Sequence, residues 1–253
     1  MRINLNLNTG HSFIGKSFGK KLDVSDDTYG EIVFQTGMVG YPESLTDPSY
    51  LNQVLVLTYP LIGNYGISQP DYDSNGIDKI FESNNIHIKA LVVGEYNPKY
   101  SHWRGKKSLG DWLEEKGIIG ISGVDTRELV KIIRENNDVI CRISQPFCEA
   151  SNKLNNLTIS DITQNINLQD VSLKLDLFGK QIFSNKIVSN KIIINENKDL
   201  LNILVIDCGI KNSQLRDLLQ HNVQLTVVDS NYNFLNEAKS GSVYSGIFIS
   251  NGP

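Results

Sequence analysis

The sequence predicts an α/β protein built in two parts. Residues 1–150 mix strand-like alternation with two capped helices, which indicates a first domain of packed strands and helices. Residues 151–198 are polar and weakly patterned, which is typical of a connecting region. Residues 199–253 alternate apolar runs with helical segments in a β-α-β-α-β order. That order predicts a parallel sheet with helices on its faces.

The first domain is predicted to begin with a β-hairpin. Residues 3–7 and 12–18 alternate apolar and polar side chains, and the turn residues at 8–10 separate them. The glycines and prolines of 37–49 indicate a tightly turned loop between two strands. The strands predicted after the hairpin lie at 31–36, 53–58 and 88–93.

Two helices of the first domain are predicted from their caps. Ser108, with Asp111 three residues later, precedes a helix that Gly117 ends. Asp125 opens a second helix over 126–135, in which apolar residues recur on one face.

The second domain is predicted to be incomplete. Half of a doubly wound sheet leaves an apolar strand edge uncovered, and domains of this kind are longer than the residues present here. Its predicted strands are 203–206, 225–228 and 246–249, and its predicted helices are 212–220 and 233–239.

Composition excludes several classes of function. The net charge of -4 offers no basic excess for nucleic acid. The three cysteines, Cys141, Cys148 and Cys208, form neither a disulfide framework nor a paired zinc motif, so we expect reduced thiols. The sequence has no run of about 18 apolar residues for a membrane span. These features predict a soluble, cytoplasmic protein without a metal site.

Residues 10–17 match the letters of a phosphate-binding loop, G-x-x-x-x-G-K-S. Such a loop must be followed by a helix whose N-terminus faces the phosphate. The residues that follow have no helical period, so nucleotide binding is not predicted here.

Cys208 follows a buried strand and precedes a helix, a placement that resembles a nucleophile elbow. A catalytic thiol needs a neighbouring base, and the four histidines fall in no pattern that supplies one. We therefore interpret Cys208 as a small buried thiol at a strand end.

Six segments together closely resemble the small chain of glutamine-dependent carbamoyl-phosphate synthase. The first of them reads Phe-Gln-Thr-Gly-Met-Val-Gly-Tyr-Pro-Glu and most resembles the version fused into multifunctional pyrimidine-pathway polypeptides. The likeness thins only over residues 150–198. The six segments are 34–43, 45–50, 57–66, 123–127, 207–211 and 249–253.

The resemblance implies two family domains. The first is a β/β/α swivelling-type domain that docks on the large synthetase chain or on a fused synthetase domain. The second is the start of a flavodoxin-like class I glutamine amidotransferase domain. Ammonia from L-glutamine would pass to the synthetase, which combines it with bicarbonate using ATP and magnesium. No cofactor is implied in this chain itself, and the pathway served, pyrimidine or arginine, stays open.

The resemblance also implies two substrate-binding residues. Ser49 matches a family serine that contacts glutamine, and Gly252 matches a family glycine that binds it. From the residues alone, each could simply form a turn. The family's catalytic cysteine, histidine and glutamate have no counterpart in these residues, so no catalytic residue is expected and the chain alone is expected to be inactive, as a fragment or a truncated product. The alternative is a non-catalytic docking protein that binds a synthetase chain.

Overall fold

The computed structural model describes residues 1–23, 27–146, 154, 157–163, 186–188, 191–235 and 244–253. These residues form two compact units. The first unit contains Met1–Leu45, Tyr50–Gln69 and the described residues of 86–165. The second contains Thr46–Ser49, Pro70–Asn85 and the described residues after 165. Two short segments from the first half of the sequence therefore belong to the second unit.

The first unit is a closed barrel of seven strands, in the order β1-β2-β6-β5-β4-β3-β7. Strands β1 and β2 form the predicted antiparallel hairpin, while β3, β4, β5 and β6 pair in parallel with one another. The strands are β1 (Arg2–Leu7), β2 (Ser12–Gly19), β3 (Thr28–Gln35), β4 (Val54–Ile62), β5 (Ala90–Tyr96), β6 (Ile119–Ser122) and β7 (Ile140–Ser144).

The barrel interior is filled by aliphatic side chains. Val54–Leu57 of β4 are all buried, as the apolar run predicted for a strand covered on both faces. Val54 and Val56 form one cluster with Leu5, Val92 and Ile121, which have no exposed surface. Burying one side chain of this size stabilises the fold by about 1.5–3 kcal/mol, so this interior contributes much of the stability of the barrel.

Strands β6 and β7 are not predicted from the sequence, because each carries a residue that is uncommon in strands. Gly120 lies within β6, and a Cβ at this position would collide with the ring of Phe18 on the paired strand β2. Arg142 lies within β7, where it is buried and forms an ion pair with Asp27 at 2.9 Å. Both exceptions have tertiary causes that the local pattern does not reveal.

Two helices of the first unit begin where their caps predict. Ser108 Oγ accepts a hydrogen bond from the Asp111 N–H at 3.1 Å, and Asp125 Oδ1 accepts from the Arg127 and Glu128 N–H groups at 3.1 and 3.0 Å. The loop predicted at 37–49 contains a short helix and a 3₁₀ turn, Pro48–Tyr50. The helices are α1 (Tyr41–Leu45), α2 (Leu109–Glu115), α3 (Thr126–Glu135) and α4 (Ile159–Thr163).

The second unit is a five-stranded sheet in the order β12-β10-β11-β9-β8. The predicted parallel pairing is confirmed, because β10 pairs in parallel with both β11 and β12. Strand β9, in the stretch predicted to connect the domains, pairs antiparallel with β11, and β8 pairs antiparallel with β9 at the edge of the sheet. Most of the helix predicted at 233–239 lies outside the described residues. The elements are β8 (Lys186–Val188), β9 (Lys191–Ile194), β10 (Asn202–Asp207), α5 (Asn212–Leu219), β11 (Gln224–Asp229) and β12 (Gly246–Ile249).

Among the residues that the structure describes, no helix combines the length and the apolar character needed to cross a lipid bilayer.

Candidate functional site

The candidate site lies in the second unit, at the carboxyl ends of β10 and β12. Strand β10 sits between β11 and β12, so the chain leaves β10 towards one neighbour and later returns on its other side. Parallel sheets bind ligands at such a point, beyond the carboxyl ends of the strands. The loops that follow these two strands, 208–211 and 250–253, meet there.

Hydrogen bonds hold the ends of β10 and β12 together. Asp207 is buried, and its Oδ1 atom accepts from the Gly209 and Ile210 N–H groups, both at 2.8 Å. The Ser250 hydroxyl accepts from the Cys208 N–H at 2.9 Å and donates to the Asn251 carbonyl oxygen at 2.9 Å. The two loops are therefore fixed against each other by buried polar groups.

Two glycines allow the loops to approach closely. Gly209 has φ +128°, and a Cβ at this position would lie 3.3 Å from the Gly252 Cα and 3.4 Å from the Pro48 Cβ. A Cβ at Gly252 would overlap the carbonyl oxygen of Cys208. Position 252 therefore requires glycine because there is no room for a Cβ. Position 209 requires glycine because of both its positive φ and its close neighbours.

The loop that carries Ser49 packs on the same turn through Pro48 and Asp47. Asp47 Oδ1 accepts from the Ser49 N–H at 2.9 Å, and Asp47 Oδ2 forms an ion pair with Lys211 Nζ at 2.5 Å. Ser49 is half-buried, and within the described residues its hydroxyl makes no hydrogen bond. Pro48, the residue before Ser49, and Gly252 thus both lie beside residue 209, although they are distant in the sequence.

Residues 78–83 support this loop, a contribution that sequence reasoning missed. The Glu82 N–H donates to Thr46 Oγ1 at 3.0 Å, and Asn212 Nδ2 donates to the Phe81 carbonyl oxygen at 2.8 Å. These bonds connect the Ser49 loop to the start of α5. The bonded residues lie 36 and 131 positions apart in the sequence, so no local sequence pattern could have predicted these contacts.

Asp78 organises the supporting segment. Its Oδ1 atom accepts from the Ile80 and Phe81 N–H groups at 2.8 and 3.3 Å, and Arg216 of α5 donates to its backbone carbonyl. Burial raises the pKa of the Asp78 carboxyl, while the N–H donors oppose this rise. The backbone N–H donors therefore offset part of the free-energy cost of burying the Asp78 carboxylate.

The surroundings of Cys208 disfavour the thiolate form of its side chain. Burial raises the pKa of its thiol, and the negative charges of Asp207 and Asp229 raise it further. A nucleophilic thiol requires the opposite shift. Cys208 follows the end of β10 as predicted, but it is only partly buried, whereas the sequence predicted a buried thiol.

The phosphate-loop letters at 10–17 form part of a hairpin. Gly10, with φ +87°, makes the turn, and the remaining residues belong largely to β2. A strand therefore stands where a phosphate-binding loop needs a helix, so the structural context of such a loop is missing here. In the described ranges, no three His, Cys, Asp or Glu side chains are placed to hold a metal ion.

Residues 5–143 match the family model described as carbamoyl-phosphate synthase small chain, CPSase domain. The chain is 41% identical over 247 residues to multifunctional protein CAD of Squalus acanthias, covering 98% of this chain and 10% of that protein. It is 39% identical to multifunctional protein URA2 of Saccharomyces cerevisiae, covering 99% of this chain and 11% of that protein. It is also 39% identical to the carbamoyl phosphate synthase arginine-specific small chain of Schizosaccharomyces pombe, covering 98% of this chain and 54% of that protein. The chain thus spans about half the length of the separate small chain and about a tenth of the multifunctional relatives.

Proposed function

Because the chain belongs to the carbamoyl-phosphate synthase small-chain family, we propose that it forms part of a glutamine-dependent carbamoyl-phosphate synthase, a ligase. In this role it serves the supply of ammonia from L-glutamine for carbamoyl phosphate synthesis. Its relatives include an arginine-specific small chain as well as multifunctional proteins, so both arginine and pyrimidine synthesis are compatible with the likeness.

The observation that carries the proposal is that the Ser49 loop, through Pro48, and Gly252 both lie beside Gly209. A glutamine ligand offers amide, ammonium and carboxylate groups, and the open Ser49 hydroxyl can donate to or accept from them. Gly252 is exposed and has no side chain, so a ligand can approach its backbone closely. The parallel order β11-β10-β12 supports our proposal that the second unit belongs to a flavodoxin-like class I glutamine amidotransferase domain.

We assign the first unit to docking on a large synthetase chain or a fused synthetase domain, which would use the ATP and magnesium. The likeness to both a separate small chain and multifunctional proteins supports either arrangement. Large apolar side chains on this unit suit a protein interface: Met38 is 71% exposed, Val39 66% and Trp103 77%.

Replacing Ser49 with alanine tests the proposal. In the assembled synthase, we expect the KM for glutamine to rise about 3- to 10-fold, because one hydrogen bond to the substrate is lost. Carbamoyl phosphate formation should be measured with glutamine and, separately, with added ammonia as the nitrogen source. The ammonia-dependent rate should not change.

The control is Ser12→Ala, which removes an exposed hydroxyl on the barrel, bonded to Asn6 Oδ1 at 2.6 Å. This variant should keep both rates. Equal losses of the glutamine- and ammonia-dependent rates in Ser49→Ala would show that Ser49 acts on the synthetase and not on glutamine.

We further propose that residues 1–253 alone do not hydrolyse glutamine. Burial raises the pKa of the Cys141 thiol to about 12, and the pKa of Cys208 is also raised, so neither forms a thiolate readily near neutral pH. An ammonia-release assay on the purified polypeptide should show only the background rate. Ammonia release that stops on Cys208→Ser substitution would refute this assignment.

A further inference from the structure

A groove in the first unit is lined by basic and hydroxyl side chains that have no part in the proposed glutamine site. Its volume is about 420 Å³, and it runs beside α3 near the carboxyl end of β3 and the middle of β4. Its walls combine basic side chains with threonine hydroxyls. The lining residues are Thr36, Thr58, Thr126, Arg127, Val130, Lys131 and Arg134.

Three of these residues make one face of α3 basic. Arg127, Lys131 and Arg134 follow one another at helical spacings of four and three residues, so they lie on one side of the helix. All three are exposed, and none forms an ion pair with a carboxylate in the described part of the chain. The acidic residues of α3, Glu128 and Glu135, do not line the groove.

The groove is therefore a local basic site on a protein whose net charge is -4. The Arg134 guanidinium carbon lies 5.1 Å from the centre of the Phe34 ring, a stacking contact that directs this side chain. Cations gathered around a concave surface raise the local concentration of anions. The charge of the groove accordingly selects for an anionic ligand.

The threonine hydroxyls add hydrogen-bond donors to this charge. Thr126 is only 9% exposed, it lines the groove, and in the described residues its hydroxyl has no hydrogen-bond partner. Thr36 and Thr58 directly follow Gln35 and Leu57, which are paired across β3 and β4. The first N–H groups of α3 are already bonded to Asp125, so the side chains must hold the ligand.

We propose that this groove binds the phosphate group of a small phosphorylated molecule. A phosphate carries up to two negative charges and accepts several hydrogen bonds, which matches three cations and three hydroxyls better than a single carboxylate does. The volume falls within the range of about 300–1,000 Å³ that small-molecule sites occupy, so there is room for more than the phosphate itself. This inference does not depend on the proposed glutamine site.

Calorimetric titration of the full chain with inorganic phosphate and with glycerol 3-phosphate tests the proposal. Both probes should bind saturably, glycerol 3-phosphate more tightly. Arg127→Gln should weaken both about fivefold, since one exposed charge pair is lost. Thr126→Val should weaken both about threefold, because it removes a hydroxyl without changing charge or volume much.

The matched control is Lys99→Gln, which removes an exposed cation that does not line the groove. Its affinities should equal those of the unchanged protein. Absence of saturable binding, or equal weakening by Lys99→Gln and Arg127→Gln, would overturn the proposal. Equal affinity for the two probes would overturn the claim that the ligand is a phosphorylated organic molecule, because the groove would then recognise phosphate alone.

Discussion

Replacing Gly252 with alanine should reduce glutamine-dependent carbamoyl phosphate formation by about 100-fold or more. The added Cβ would overlap the Cys208 carbonyl oxygen, so the loop after β12 must move away from the turn at Gly209. A displacement of about 1 Å in a binding site can cost a factor of about 100 in rate. The ammonia-dependent rate, measured on the same assembled synthase, should be retained.

Gly37→Ala is the matched control for this substitution. A Cβ at Gly37 would meet its nearest neighbour, Gln35 Nε2, at 3.4 Å, an ordinary contact, and the backbone conformation needs no glycine. The control should keep both rates. A Gly252→Ala protein that retains full glutamine-dependent activity would show that the approach of this loop to Cys208 is not part of the substrate site.

Replacing Asp47 with alanine should destabilise the second unit by about 2–3 kcal/mol. The substitution removes the acceptor of the Ser49 N–H and leaves Lys211, whose side chain is only 28% exposed, without its ion-pair partner. Because the Ser49 loop is then released from the turn at Gly209, the glutamine-dependent rate should also fall, by about tenfold. Urea unfolding and the ratio of the glutamine- to the ammonia-dependent rate measure the two effects.

The variant Asp47→Asn separates charge from hydrogen bonding. Its side-chain oxygen can still accept from the Ser49 N–H, so only the charge interaction with Lys211 is lost, at a cost of about 1 kcal/mol. The glutamine-dependent rate should then stay close to that of the unchanged protein. If the two variants at position 47 behave alike, the bond to Ser49 does not position its loop.

Elements with a local cause could be predicted from the sequence. The hairpin follows from alternation around Gly10, and the starts of α2 and α3 follow from side chains that bond their first N–H groups. The three parallel strands of the second unit follow from apolar runs separated by a helical period. Each of these signals lies within about ten residues, which is the reach of pattern arguments.

Elements with a long-range cause could not be predicted. Strand β7 contains Arg142, which is stabilised there by Asp27, a residue far away in the sequence. The segments Thr46–Ser49 and Pro70–Asn85 belong to the second unit through contacts such as that between Asp47 and Lys211. No composition or periodicity marks such pairs before the chain is folded.

The residues of the candidate site also differ in whether the local sequence could predict them. Ser49 and Gly252 were expected from the family resemblance and not from physical chemistry, since each could have been an ordinary turn residue. Asp207 could have been found from the sequence, because an aspartate two residues before a glycine at a strand end predicts a side-chain-capped turn. Its carboxylate does accept from the N–H groups of Gly209 and Ile210.

A crystal structure of the assembled synthase with bound glutamine tests the central claim most directly. The account predicts that glutamine lies beyond the carboxyl ends of β10 and β12, with one polar group within hydrogen-bonding distance of Ser49 Oγ and another against the backbone of Gly252. Glutamine bound elsewhere, or in contact with only one of these two residues, would contradict the claim that they form a single substrate site.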